Sequence, residues 1–234
     1  MALDLNDKSP NGNNLTNVNT VAEITSALPF AASTIAAGFT AASSQRFTMV
    51  DSATLKPTGN FTIELWFKST STGVIHRCFT SYSANTNIAG IELFVTTANK
   101  LRLLSGKNTG TGDGTDYKTI DSTISVADGT WHHCAGVYNG STLEVFVDGV
   151  ADGNVAWTNA AAYAATNYPR IGAHSTSGTS DGFVNGNMDD VRLWGTNRTA
   201  AQIADNRSIE LTGTETNLNG YWPLEATLGA AAVA

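Results

Sequence analysis

Three short segments share one grammar: Ile63-Glu64-Leu65-Trp66-Phe67, Ile91-Glu92-Leu93-Phe94-Val95 and Leu143-Glu144-Val145-Phe146-Val147. In each, an aromatic residue follows a glutamate by two positions. If the segments are strands, alternation sends the aliphatic residues to one face and the glutamate and aromatic to the other. A ring can cover the apolar C–H face of a sugar while a carboxylate accepts its hydroxyls. Glu64 with Trp66, Glu92 with Phe94 and Glu144 with Phe146 are therefore the candidate ligand-binding residues. Trp66 is the first choice, because an exposed indole offers the largest stacking surface. Packing of the same rings beneath loops is the simpler alternative, since a covered aromatic needs no ligand to explain it.

Glycoside hydrolysis is the catalytic chemistry that such glutamates raise. It needs two carboxyls about 5–5.5 Å apart for retention, or about 6.5–9.5 Å for inversion. Glu144 and Asp148 share a face by parity, but Asp148-Gly149 reads as a turn, which explains that aspartate without catalysis. His132 and His133 are adjacent on a strand and point to opposite faces, so they cannot chelate one ion together. Neither a Cys-x-x-Cys nor a His-x-x-x-His spacing suggests zinc.

The elements that would position these residues are strands. His132–Tyr138 and Thr142–Val147 flank Asn139-Gly140, which predicts a hairpin with a type I′ turn. Further strands are expected at Arg46–Val50, Phe61–Lys68, Val74–Phe79, Gly90–Thr96, Lys100–Ser105, Tyr117–Thr119, Arg170–Gly172, Gly186–Trp194 and Asn219–Leu224. Many short strands broken by Gly, Asn, Asp and Ser mean a sandwich or jelly roll. One short helix is expected at Ala200–Asn206, with Thr199 and Gln202 at capping-box spacing. The fold expected is thus an all-β, antiparallel two-sheet sandwich with one short helix near the C-terminus, residues 1–234 forming one domain.

Four stretches carry a family resemblance. Asp128-Gly-Thr-Trp-His-His-Cys-Ala to Val147-Asp-Gly149 resembles the "G-x-W-H-H-V-A … L-x-L-Y-V-D-G" hairpin of laminin-G-like and pentraxin-like members of the concanavalin A-like jelly rolls. Phe61–Lys68, Gly186–Trp194 with the helix after it, and Asn219–Glu225 resemble further motifs of that family, in the family's order. Cys134 and Gly136 stand where the family has branched residues, which implies a slightly looser core. The glucanases of the family place their acids as Glu-x-Asp-x-x-Glu on one strand, and this chain has no such run. The resemblance also implies structural Ca²⁺. Leu5–Asn14 is similar to the family's "D-x-S-G-N-G-N" loop, so Asp7, Ser9, Asn11 and Asn14, with Asp189 or Asp190, would supply oxygen ligands. Pro10 replaces the family's usual glycine in that loop.

Composition narrows the partners. A formal charge of −7 and a pI near 4.9 exclude a basic face for nucleic acid or for an anionic membrane. No segment is apolar enough to span a bilayer, and no secretory leader is expected at residues 1–7. Cys78 and Cys134 are too few for a disulfide framework. Two buried thiols are the simpler reading, and a bond between them stays open. The polar loops Ser105–Asp116 and Ser175–Asn185 are further places for binding residues. The reading that follows is a non-catalytic recognition module for a glycan or glycoprotein surface, working outside a cell or on a virion. A purely structural virion or surface component is the alternative, a glycoside hydrolase a distant third, and oligomeric state is not legible.

Overall fold

The computed structural model describes residues 3–25, 35–83, 89–107, 116–163, 169–176 and 179–225. Among them, seventeen strands run in order: β1 (Thr16–Val18), β2 (Ala22–Thr25), β3 (Ile35–Phe39), β4 (Arg46–Thr48), β5 (Phe61–Lys68), β6 (His76–Ser83), β7 (Ala89–Val95), β8 (Lys100–Lys107) and β9 (Tyr117–Ser125). There follow β10 (His132–Tyr138), β11 (Thr142–Val147), β12 (Val150–Ala156), β13 (Arg170–Ile171), β14 (His174–Thr176), β15 (Thr179–Asp181), β16 (Gly186–Trp194), helix α1 (Ala200–Asn206) and β17 (Leu218–Trp222). A seven-stranded sheet has the order β1-β4-β13-β6-β7-β8-β9, and an eight-stranded sheet the order β12-β11-β10-β5-β16-β3-β2, with β17 also paired to β16. All pairs are antiparallel, and β14–β15 forms a separate ribbon. The expected two-sheet sandwich with one short helix is the architecture observed.

Alternation assigns the faces as expected. Leu65, Phe67, Leu93, Val95, Val145 and Val147 lie buried between the sheets, in a core that runs from Leu3 to Leu224. Gly136 on β10 also faces that interior. A Cβ placed there would come within 2.8 Å of Leu103 Cδ1 and 3.0 Å of Leu93 Cδ1, both from the opposite sheet. The glycine does not loosen the core; the two leucines fill the volume that a branched residue would take. Cys78 and Cys134 are both buried in the same core as free thiols, their pKa pushed up by burial.

The turns correct one expectation. Of Asn139 and Gly140 only Gly140 has positive φ, at 91°. Asn139 instead pairs with Thr142 across the loop, and its side-chain oxygen accepts from Ser141 N at 3.0 Å and Thr142 N at 2.9 Å. The central pair is Gly140-Ser141, with glycine at the first position as a type II′ turn requires. Asp148 (φ 54°) and Gly149 (φ 84°) are both left-handed and form the type I′ turn, which launches β12.

Two further devices matter for the outer faces. On β16 the register with β5 slips between Asp189 and Arg192, and Asp190 takes a left-handed φ of 52°. This bulge lets Met188 and Val191 both face the core while Arg192 and Trp194 point outward. The α1 capping box forms as expected, Thr199 Oγ1 accepting from Gln202 N and Gln202 Oε1 from Thr199 N. Ile203 of that helix seals against Ala135, Val137 and Phe146 on the outside of the eight-stranded sheet. Among the described residues no helix is long and apolar enough to cross a membrane.

Filling Gly136 should overpack the core. Gly136→Val is expected to lower stability by about 1–3 kcal/mol, read as a fall in the urea midpoint with unchanged slope. An unchanged midpoint would contradict the contact with Leu93 and Leu103.

Candidate functional site

The three glutamate–aromatic pairs separate onto different surfaces. Glu64 and Trp66 lie on the outer face of the eight-stranded sheet, beneath the segment that carries α1. Trp66 is 3% exposed and donates its indole N–H to Arg207 O at 2.9 Å, with the His133 ring edge-on to it. It presents no stacking surface, which corrects the expectation of an exposed indole; packing is its role in the fold. Phe146 is 2% exposed under Ile203. Its neighbour Glu144 turns back to the hairpin, accepting from Asn139 Nδ2 at 2.9 Å and Thr142 Oγ1 at 2.7 Å.

Glu64 belongs to a buried ionic cluster. It accepts from Trp194 Nε1 at 2.8 Å, and lies 3.6 Å from both Arg192 Nη1 and His133 Nε2. Arg192 is fully buried and grips Asp190 through Nε at 3.1 Å and Nη2 at 2.5 Å. Burial pushes the Asp190 carboxyl up to about 6, and pushes His133 down to about 4 despite the nearby Glu64. The two histidines do face opposite ways. His132 is held outside the core cluster between Asp148 and Asp128, which raise its pKa.

The calcium ligands do not assemble. The Asp7 carboxylate accepts four hydrogen bonds: Oδ1 from Ser9 N at 2.8 Å and Tyr221 N at 2.9 Å, Oδ2 from Ser9 Oγ and Asn13 N, both at 2.8 Å. The Asn14 side-chain oxygen accepts from Asp7 N, and the Asn11 amide donates to the carbonyls of Leu218 and Asn219. Asp190 is committed to Arg192, and Asp189 Oδ1 accepts from Asp190 N at 2.9 Å. Among the described residues no three His, Cys, Asp or Glu side chains are grouped to hold a metal. This donor set does not fit calcium; Asp7 instead knots the N-terminal loop to β17 with N–H and O–H donors.

Glu92 and Phe94 lie elsewhere, on the outer face of the seven-stranded sheet. Cross-strand register aligns Arg77, Phe94, Arg102 and Asp121 in one row, and Arg170, Thr80, Glu92, Leu104 and Thr119 in the next. Phe94 is 5% exposed, packed with Leu104, Ile75 and Tyr117. The Arg77 guanidinium lies 4.3 Å from its ring centre and Arg102 lies 5.7 Å away, so cations take the face a sugar would need. Glu92 is fully buried, paired with Arg77, and accepts from Thr80 Oγ1 at 3.1 Å. Burial is the main reason its carboxyl is pushed up to about 7, with Arg77 and Thr80 pulling back.

What this face offers to solvent is the layer above Phe94. Arg102 and Asp121 form a bidentate pair with each side chain 35% exposed, and Tyr117 is half-buried beside them. Guanidinium N–H donors and carboxylate acceptors held in one plane can serve vicinal hydroxyls from both sides. Arg102 and Tyr117 fall within strands expected from sequence, but Asp121 lies beyond the expected Tyr117–Thr119, in the part of β9 that the sequence reading does not reach. Opposite charges at outward positions of neighbouring strands were the available signal. Of the two polar loops expected to bind, residues 108–115 and 177–178 lie outside the described residues.

The family model of the concanavalin A-like lectin/glucanases superfamily matches residues 41–204. No curated protein sequence matches the chain. Solved structures with a similar fold include the Ruminococcus gnavus IT-sialidase CBM40, at 16% identity over 65% of this chain and 85% of that one, TM-score 0.55. The binding domain of botulinum neurotoxin serotype G matches at 11% over 87% and 49%, TM-score 0.61. A heptameric SAP-like pentraxin from Limulus polyphemus matches at 18% over 74% and 80%, TM-score 0.50. The chain spans about half the neurotoxin structure, and 46% of a matching Bacteroides ovatus protein. At these identities the likeness is one of fold.

The pKa of Glu92 yields a pH test. A folded-state value raised to about 7 means that the native chain holds a proton the unfolded chain has released. The stability this confers is present below the ordinary glutamate value and is lost as pH rises through about 7. Between about pH 5 and about pH 8, wild type should lose stability relative to Glu92→Gln in urea unfolding. Parallel losses in the two proteins would contradict a carboxyl titrating near neutrality.

Proposed function

We propose that this chain, which belongs to the concanavalin A-like lectin/glucanases superfamily, is a non-catalytic glycan-recognition module whose ligand lies on the outer face of β6–β9. The observation that carries this reading is the partly exposed Arg102–Asp121 pair beside Tyr117, on the sheet face that α1 leaves uncovered. An ion pair at a sheet surface contributes little to stability, whereas a planar array of donors and acceptors above an aromatic suits hydroxyl recognition. The fold relatives support the same class. CBM40 of the Ruminococcus gnavus IT-sialidase has been solved with alpha2,3 sialyllactose, and the binding domain of botulinum neurotoxin DC in complex with SialylT.

A glycosidase reading is less well supported. Glu64 and Glu92 are both shut off from solvent and flanked by arginines, so neither is placed to exchange a proton with a glycosidic oxygen. A module of this kind works at the outside of a cell or virion, where glycans and glycoproteins are met.

A glycan array followed by titration of the best hit tests the reading. Arg102→Ala should weaken that glycan by about tenfold or more, the loss of one charge-assisted contact, with a nearly unchanged melting temperature. If wild type binds no glycan at millimolar concentration, or Arg102→Ala binds as well as wild type, the recognition reading gives way to a structural surface component.

A further inference from the structure

A second cleft lies on the other sheet, away from the Arg102 face. At one end of the sandwich Lys68, Ser69, Thr70, Asn185, Gly186 and Asn187 line an open cleft of about 250 Å³. Lys68 and Asn187 are register partners on β5 and β16. Their neighbours Phe67 and Met188 face the core, so both polar side chains turn to the outer face. One wall is fixed by hydrogen bonds to Asn185. Its N–H donates to His76 Nδ1 at 3.2 Å, its amide to Ser71 Oγ at 2.5 Å, and its carbonyl accepts from Ser69 Oγ at 2.6 Å.

The working groups of the cleft are not consumed by the fold. Among the described residues the Lys68 ammonium has no carboxylate partner, and the Thr70 hydroxyl and Asn187 amide have no hydrogen-bond partner. Gly129 N donates to Ser69 O at 2.8 Å, which ties the loop before β10 to the cleft.

We infer that this cleft is a second saccharide site, selective for a sugar that carries a carboxylate. Lys68 supplies the single point charge, and Thr70 and Asn187 supply partners for ring hydroxyls. Among the described residues lining the cleft Lys68 is the one cation, and a single ammonium matches a carboxylate better than a phosphate, which takes more donors. The chain's charge of −7 repels polyanions at a distance, so binding there depends on direct contact with Lys68.

The test is isothermal titration with a galacturonic acid trimer and a neutral galactose trimer, on wild type, Lys68→Gln and Arg102→Ala. The acidic trimer should bind wild type more tightly than the neutral one, and Lys68→Gln should weaken it about tenfold or more. Lys68→Gln should melt as wild type does, since among the described residues the Lys68 ammonium holds no carboxylate partner. Arg102→Ala should leave acidic binding unchanged, whatever it does to the other face. Equal affinity for the two trimers, no effect of Lys68→Gln, no binding at millimolar concentration, or loss of the acidic trimer in Arg102→Ala would each overturn the second site.

Discussion

Arg192 is a fully buried cation on the outer face of a sheet, and the fold has to neutralise it. It does so with Asp190, which the β16 bulge turns toward it, and with Glu64 from β5 at 3.6 Å. Its remaining N–H groups reach Asn206 O at 3.1 Å and Ile209 O at 2.6 Å, at and beyond the end of α1. One side chain thus fastens the C-terminal segment across the eight-stranded sheet. Removing one partner of such a pair costs about 3–5 kcal/mol, because a charge is then left buried alone. Trp66 adds its bond to Arg207 O, and Ile203 closes on Phe146. The strap accounts for why Glu64, Trp66 and Phe146 are interior.

The two outer faces consequently differ in kind. The eight-stranded sheet is lidded over its centre, and at its end Lys68 and Asn187 line an open cleft. The seven-stranded sheet keeps its aromatic residue under arginines and leaves an ion pair at the surface. The buried charges are neutralised in place, and the partly exposed ones stand in an ordered row. The open, patterned face of the seven-stranded sheet is the surface on which the proposed recognition rests.

Much of this was legible in the residues. Period-two alternation placed Leu65, Leu93 and Val145 inside and the glutamates outside, and the limits of β5, β10, β11, β16 and α1 follow directly from turn and cap residues. Alternation reports which face a side chain takes, but not what covers that face. Packing beneath a loop is the simpler reading for Trp66, but the lid itself cannot be named from sequence, because it comes from residues 199–209, over 130 positions away. The β12 strand was missed because Asp152-Gly153 looks like a turn. In fact Asp152 accepts from Thr123 N and Ile124 N at 2.9 Å, closing one side of the sandwich, and Gly153 lets β9 approach. The Asx-rich loop at Asp7 has the composition of a calcium loop, yet its oxygens are satisfied by backbone N–H groups, a choice that composition does not reveal.

The most direct test of the central claim is an NMR map of a bound glycan, following backbone amides and arginine Nε–H signals through a titration. The account predicts the largest shifts at Arg77, Arg102, Tyr117 and Asp121 for the ligand selected by array, with Trp66 and Arg207 unmoved. Largest shifts at Trp66, Phe146 and Arg207 would contradict it, since they would mean that the strap opens and that the eight-stranded face is the recognition surface.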